Sequence, residues 1–251
     1  MLILLLSTLA LAGAQHRSFD ANYNFGQLQQ PIDTALVFDC GSNPNRALQN
    51  PKFTFRSTDP NADPNQQSLT LPGSFILEDF EIEVTKPIVR PFYGRVEAWR
   101  TIWLLGGASS TIQLGCIGLS TDNVVGIDGF GTCDYGDLCG ILDLNIPIND
   151  TTGQPTCFPE AINQGIPEDQ CTCEGIIAPK VYATQGYNRL IDFTDLEPGM
   201  LTFLAEGDYE FKLIAEDDQG NEEACIAIRV PIKEYVDPND TGGGWFFGKR
   251  R

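Results

Sequence analysis

Histidine is almost missing from this chain of 251 residues: the single one, His16, lies before the body of the sequence. A Ser-His-Asp or Cys-His nucleophilic arrangement is therefore excluded from the folded region. No Cys-x-x-Cys pair occurs either, which removes the usual structural zinc sites. Cations are scarce as well, 16 Lys and Arg against 34 Asp and Glu, for a formal net charge of -18. They are scattered and form no stripe, so nucleic acid is not an expected partner. No stretch approaches the roughly twenty apolar residues that span a bilayer, and no internal repeat of about 20–50 residues is visible. Paired carboxylates are abundant, but nothing in the sequence positions a glycosidase dyad. No catalytic residue, cofactor or metal site is expected.

What the chain does contain begins with an export signal over residues 1–14. An apolar run at residues 2–6, then Leu9 and Leu11, leads to Ala12-Gly13-Ala14, a small-residue pattern that signal peptidase accepts. Lys and Arg are absent ahead of the run, so the amino terminus alone supplies its positive charge. Cleavage after Ala14 places the protein in the secretory pathway, secreted or lysosomal. Eight cysteines follow, Cys40, Cys116, Cys133, Cys139, Cys157, Cys171, Cys173 and Cys225, an even number suited to an oxidising compartment and to a complete set of disulfides. Their pairing is open at this point, one of about 105 possibilities. Asn149 and Asn239 head Asn-x-Thr sequons and are candidate glycosylation sites.

The pattern is strand-like nearly throughout. Phe53-Thr54-Phe55-Arg56, then Phe80, Ile82 and Val84 alternating with Glu81 and Glu83, then Tyr209, Phe211 and Leu213 alternating with Glu210 and Lys212, show the two-residue period of strands with one wet face. A final strand is predicted over residues 224–230. Turn-formers such as Leu71-Pro72-Gly73 and Asp217-Asp218-Gln219-Gly220 separate them. The one predicted helix covers residues 135–144, where Leu138, Cys139, Ile141 and Leu142 share a face. The fold class expected is all-β and antiparallel, a single domain of residues 39–233 with a short helix in a cysteine-rich insert. A lead segment, residues 15–38, precedes it and a polar, glycine-rich tail, residues 234–251, follows.

The run Cys133-Asp134-Tyr135-Gly136-Asp137-Leu138-Cys139-Gly140-Ile141-Leu142-Asp143-Leu144, then Ile146-Pro147, Cys157-Phe158-Pro159-Glu160, Gly165-Ile166-Pro167 and Cys171-Thr172-Cys173, resembles the ganglioside activator proteins. These are lysosomal lipid carriers that serve β-hexosaminidase. The similarity continues through Gly207-Asp208-Tyr209 and Cys225-Ile226-Ala227-Ile228. Six cysteines are usual in the related lipid-recognition domains, so the total of eight favours the ganglioside branch.

The resemblance implies a non-enzymatic antiparallel β-cup with an apolar cavity that takes the tails of a glycosphingolipid or phospholipid from a membrane surface and presents the lipid to a lysosomal glycosidase. Carried over, the family connectivity pairs Cys40 with Cys225, Cys116 with Cys133, Cys139 with Cys173 and Cys157 with Cys171. Candidate cavity residues are Phe75, Leu77, Phe80, Ile82, Val84, Val96, Phe211 and Leu213; by periodicity alone they equally suit a closed sandwich core. Trp99-Arg100-Thr101-Ile102-Trp103-Leu104-Leu105-Gly106-Gly107 reads as an exposed apolar loop with glycine hinges, or else as a buried strand end. The family's mobile loop before its second cysteine makes Ile102, Trp103, Leu104 and Leu105 candidates for bilayer contact. Leu201, Phe203 and Leu204 form a second candidate rim, with Phe203 where the family carries Trp.

The competing class is an acidic extracellular matrix protein that holds calcium on clusters such as Asp217-Asp218 and Glu222-Glu223. Acidity also implies that encounter with anionic membranes strengthens as carboxylates of pKa about 4 protonate. The terminal Trp245-Phe246-Phe247-Gly248-Lys249-Arg250-Arg251 combines the form of a processing and amidation signal with an aromatic and basic cluster suited to an anionic surface.

Overall fold

The computed structural model describes residues 24–32, 34–59, 68–71, 73–88, 91–104, 107–118, 129–140, 151–152, 179–184, 189–192 and 205–234. Outside them lie the export signal, both sequons, Leu105, the segment Leu201 to Leu204, Cys157, Cys171, Cys173 and the tail.

Within the described residues the chain is antiparallel β with one exception. Three long strands, β5 (Tyr93–Trp103), β12 (Gly207–Glu216) and β13 (Glu222–Glu234), form the centre of a seven-stranded sheet. They are flanked by β1 (Leu36–Asp39) beyond β13 and by β6 (Ser109–Gln113) and β9 (Cys133–Asp137) beside β5. The exception is β3 (Leu69–Leu71), which runs parallel to the end of β13. A second sheet centres on β4 (Ser74–Val84), with β2 (Leu48–Ser57) along one edge and β10 (Lys180–Thr184) and β11 (Arg189–Asp192) sharing the other. Two short strands, β7 (Ile117–Gly118) and β8 (Gly129–Phe130), pair separately.

A shift in side-chain phase explains how β4 serves the core along its whole length. Phe75 and Leu77 are odd-numbered, whereas Ile82 and Val84 are even, so strict alternation would put the two pairs on opposite faces. Thr54 stands opposite Asp79 and Phe55 opposite Leu77, leaving Glu78 as one extra residue in β4. This bulge restores the phase. Phe75, Leu77, Ile82 and Val84 all lie buried in one cluster with Phe53 and Phe55 of β2. Phe80 pairs with Phe53 on one side and with Thr184 on the other.

The facing surface comes from the seven-stranded sheet: Val96 and Ala98 of β5, Tyr209 and Phe211 of β12, and Ile226, Ile228, Val230 and Ile232 of β13. The two sheets thus share a single core. Among the described residues the sheets approach each other where β1 and β13 meet β2, and β3 meets β4. The Cys40–Cys225 bridge joins the end of β1 to β13 on that same side, and a backbone hydrogen bond from Cys40 N to Cys225 O runs beside it at 3.1 Å.

Three sequence expectations need correction. The helix predicted from residue 135 begins later: Tyr135 to Asp137 belong to β9, and helical conformation starts at Leu138. Tyr135 is held in the strand by its hydroxyl, which donates to the Gly129 carbonyl at 3.0 Å, and Gly136 takes a positive φ of 64° that a helix does not accept. The sheet also starts before residue 39, because Leu36 to Asp39 pair with β13, and it reaches Glu234 where the last strand was expected to stop at 230. Finally, the supposed loop at residues 99–107 is strand as far as Trp103. Its alternation of Arg100 and Ile102 with Trp99, Thr101 and Trp103 serves two different faces, which a run of mixed apolar residues conceals in the sequence.

Candidate functional site

The side chains that the sequence assigns to a lipid cavity lie between the two sheets. Phe75, Leu77, Ile82, Val84, Val96 and Phe211 are each at most 3% exposed and belong to one packed cluster, with Leu213 partly buried against it. Phe55 and Phe75 meet edge to face, their ring centroids 5.6 Å apart.

Strand register shows where the inner face reaches the surface. Along β5, Val96 and Ala98 are buried, while Arg100 and Ile102, next on the same face, are only half-buried. Arg100 pairs with Ile112 of β6, and two residues further on Leu114 is again buried in the core. Ile112 itself is 47% exposed, and Leu104, just past the end of β5, is 55% exposed. The inner face therefore runs from Ala98 and Leu114 out to Ile102, Ile112 and Leu104, with Arg100 and Ser110 as the polar residues on it. A 104–108 turn closes this rim, with Leu104 N donating to the Ala108 carbonyl at 2.7 Å and Gly107 in the left-handed region at φ 82°.

Arg100 is accommodated here by three contacts. Its guanidinium lies over the Tyr209 ring at 5.9 Å, its Nη2 donates to the Glu206 carbonyl at 2.7 Å, and its stem packs over Gly207. A Cβ on Gly207 would meet Thr101 O at 3.0 Å and Arg100 Nε at 3.1 Å, so a side chain there would crowd Arg100. Burial raises the Tyr209 hydroxyl well above its ordinary pKa, with Arg100 acting in the opposite sense; the hydroxyl donates to the Ala205 carbonyl at 2.6 Å.

Trp103 does something other than line this rim. It shares the outer face with Trp99 and Thr101, and its indole N–H donates to Asp208 Oδ2 at 2.6 Å. The same oxygen accepts the backbone N–H of Ile32 at 2.8 Å. Thus the sequence reading grouped Ile102 and Leu104, which lie together at the end of β5, but did not include Ile112 of β6. The alternation of Ile112 with Leu114 in Ser-Thr-Ile-Gln-Leu was the signal available. Replacing Trp103 by Phe is expected to remove one donor from the buried Asp208 carboxylate and to lower stability by about 1–3 kcal/mol. Lipid transfer should be unchanged, which thermal denaturation and a transfer assay on the same variant would test.

Two of the four family disulfide pairings are formed, Cys40–Cys225 and Cys116–Cys133. Cys139 is also bridged, to a residue outside the described set. The Cys116–Cys133 bridge anchors β9, and hence β5, just behind the rim; a Cβ on Gly129 would fall 2.5 Å from Cys116 Sγ, so that turn admits only glycine.

Three of the carboxylates that suggested calcium, Asp217, Glu222 and Glu223, are engaged internally. Glu222 Oε1 accepts the backbone N–H groups of Ser42 and Asn43, at 2.7 and 3.0 Å. Glu223 pairs with Lys86 at 2.6 Å and accepts Ala47 N–H at 2.8 Å. Asp217 accepts from Gln219 and Asn221 to close its own turn. Among the described residues no group of three or more His, Cys, Asp or Glu is arranged to hold a metal ion.

A scan against protein-family models finds no match, and a sequence comparison with curated proteins finds none. Among solved structures, a Niemann-Pick type C2 protein from Japanese carpenter ant overlaps 79% of this chain and 99% of its own, at 11% identity and a TM-score of 0.32. Chicken MD-1 complexed with lipid IVa overlaps 78% and 96%, at 11% identity and a TM-score of 0.23. The functional reading therefore rests on the chain's own residues, those of an antiparallel double sheet whose apolar interior reaches the surface along one rim.

Proposed function

We propose that this protein is a non-enzymatic carrier that takes a glycosphingolipid or similar lipid from a membrane, holds its acyl chains between the two sheets and presents the head group to a hydrolase. The observation that carries the reading is the apolar face emerging from the core at Ile102, Ile112 and Leu104. Exposed apolar residues scattered singly need no explanation, but a face continuous with the core is a route for an apolar ligand. The sheets pack against each other on the β1–β2 side, so parting them on the opposite side leaves that packing in place. Separation exposes apolar surface at a cost of about 25 cal/mol per Å², which an inserted acyl chain offsets by covering the same surface. The resemblance to ganglioside activators adds the class of lipid and the hydrolase.

The test is extraction. Purified protein incubated with vesicles of phosphatidylcholine and labelled glycosphingolipid is expected to elute from gel filtration with bound label and to move label to acceptor vesicles. Protein that emerges free of label and leaves the transfer rate at its spontaneous value would show that the core stays shut. Glycosidase turnover of the carried lipid, compared with the vesicular lipid, tests the presentation step separately.

A further inference from the structure

The guanidinium of Arg100 stands on the inner face of the seven-stranded sheet, at the place where that face leaves the core. Inward of it on β5 lies Ala98, which is buried, and outward lies Ile102, which is half-buried. Each is two residues away, roughly 7 Å along a strand. In register, Arg100 stands opposite Tyr209 of β12 on one side and Ile112 of β6 on the other, so a ring and an aliphatic side chain flank a charge.

Arg46, Arg56, Arg95 and Arg229 each pair with a carboxylate, those of Asp39, Glu78, Glu216 and Glu210 in turn. Arg100 pairs with none among the described residues. Its Nη2 donates to the Glu206 carbonyl at 2.7 Å, but its Nε is buried and meets no acceptor among them. Packing alone does not call for such a group, because an apolar side chain of similar length would cover Tyr209 and Gly207 without a charge to desolvate or a covered N–H to satisfy. A planar fork of N–H donors is instead suited to a tetrahedral oxyanion, which accepts two parallel bonds from it.

We propose that Arg100 is a phosphate anchor, through which the carrier also takes phospholipids. The inference rests on the carrier reading above and adds the charged group that the same site accepts. Its level on the inner face selects the chemistry. With acyl chains running inward past Ala98, the part of a lipid that lies roughly 7 Å further out is the junction of head and tails. In a phospholipid that junction bears the phosphate diester, whereas in a glycosphingolipid it bears a neutral sugar, and any acidic group sits on sugars further from the tails. Gly207 puts no side chain against Nε, where a Cβ would come to 3.1 Å. Once the sheets part for the acyl chains, the fork faces the same opening.

Sphingomyelin and glucosylceramide share a ceramide and differ only in what it carries, phosphocholine or glucose. Short-chain forms of both, with one and the same fluorescent acyl chain, are titrated from solution into the full chain and into R100M, which keeps an apolar stem over Tyr209 and removes the fork. The unmodified protein is expected to bind both. R100M is expected to bind sphingomyelin roughly 10-fold or more weakly, with glucosylceramide changed by less than about twofold. Equal weakening of both lipids would make Arg100 a packing residue of the rim and overturn the proposal. Binding of glucosylceramide without sphingomyelin in the unmodified protein would also overturn it while leaving the carrier reading intact, whereas binding of neither would sink both. Phosphocholine alone is expected not to displace the lipid at comparable concentration; displacement would place the ligand among soluble phosphate esters and overturn the lipid assignment. If R100M does not fold, R100Q, neutral but still a hydrogen-bond donor, takes its place with the same expected selective loss and the same overturning results.

Discussion

Replacing Leu104 and Ile112 by serine together is expected to slow vesicle-to-vesicle transfer by roughly 30-fold or more while leaving the fold intact. Fully burying a Leu or Ile side chain is worth about 1.5–3 kcal/mol. Even a partial gain of about 1 kcal/mol at each position, lost in both, changes occupancy of the membrane-inserted state by that factor. Stability should fall little, since both side chains already meet solvent, at 55% and 47% exposure, and the remaining cost is the lower strand preference of serine in β6. Ile102 is left in place because it is half-buried, and its loss would confuse a transfer defect with a packing defect. The measurement is a thermal melt and a transfer assay on one preparation. A variant that melts normally and transfers lipid at the unmodified rate would remove this rim from the mechanism.

The strands with one wet face were legible because alternation is a local property. Ile82 and Val84 against Glu81 and Glu83, and Tyr209 and Phe211 against Glu210 and Lys212, name their faces without help from the rest of the fold. Glu78 defeated that logic. A bulge is fixed by the partner strand, and nothing local in Phe75-Ile76-Leu77-Glu78-Asp79-Phe80 says which residue is extra. The rim was legible in part for the same reason. Trp103 and Ile102 are both large and apolar, so the sequence grouped them, yet alternation along β5 sends one to each face, and the buried Asp208 that receives the indole N–H lies 105 positions away.

Residues 24–32, which cross the outer face of the seven-stranded sheet, were the least legible element. They have no period, and what fixes them is a set of side-chain carboxylates on β12, with Gly26 and Glu210 separated by 184 positions. Polar residues alternating outward along a strand normally imply solvent. Here Asp208 and Glu210 face outward and are still covered, which makes the outer face of this sheet a second, polar interior. The same long-range closure underlies the cysteine pattern: counting gives an even set, whereas pairing Cys40 with Cys225 requires knowing that the first and last strands of the sheet are neighbours.

That bridge should carry the largest single contribution to stability. Cys40 and Cys225 are 185 residues apart, and in the chain-entropy account closing so long a loop in the unfolded chain is worth about 5 kcal/mol. The loop between Cys116 and Cys133 spans 17, for which the same relation gives about 3 kcal/mol. A domain's whole net stability is about 5–15 kcal/mol, so serine at both Cys40 and Cys225 is expected to leave a protein that is marginal or unfolded near body temperature. Serine at both Cys116 and Cys133 should instead leave a folded protein with a lower melting point. Urea denaturation of both double variants tests the ordering, and a larger loss from the short loop than from the long one would refute the entropic account and place the effect in the packing around Gly129 and β9.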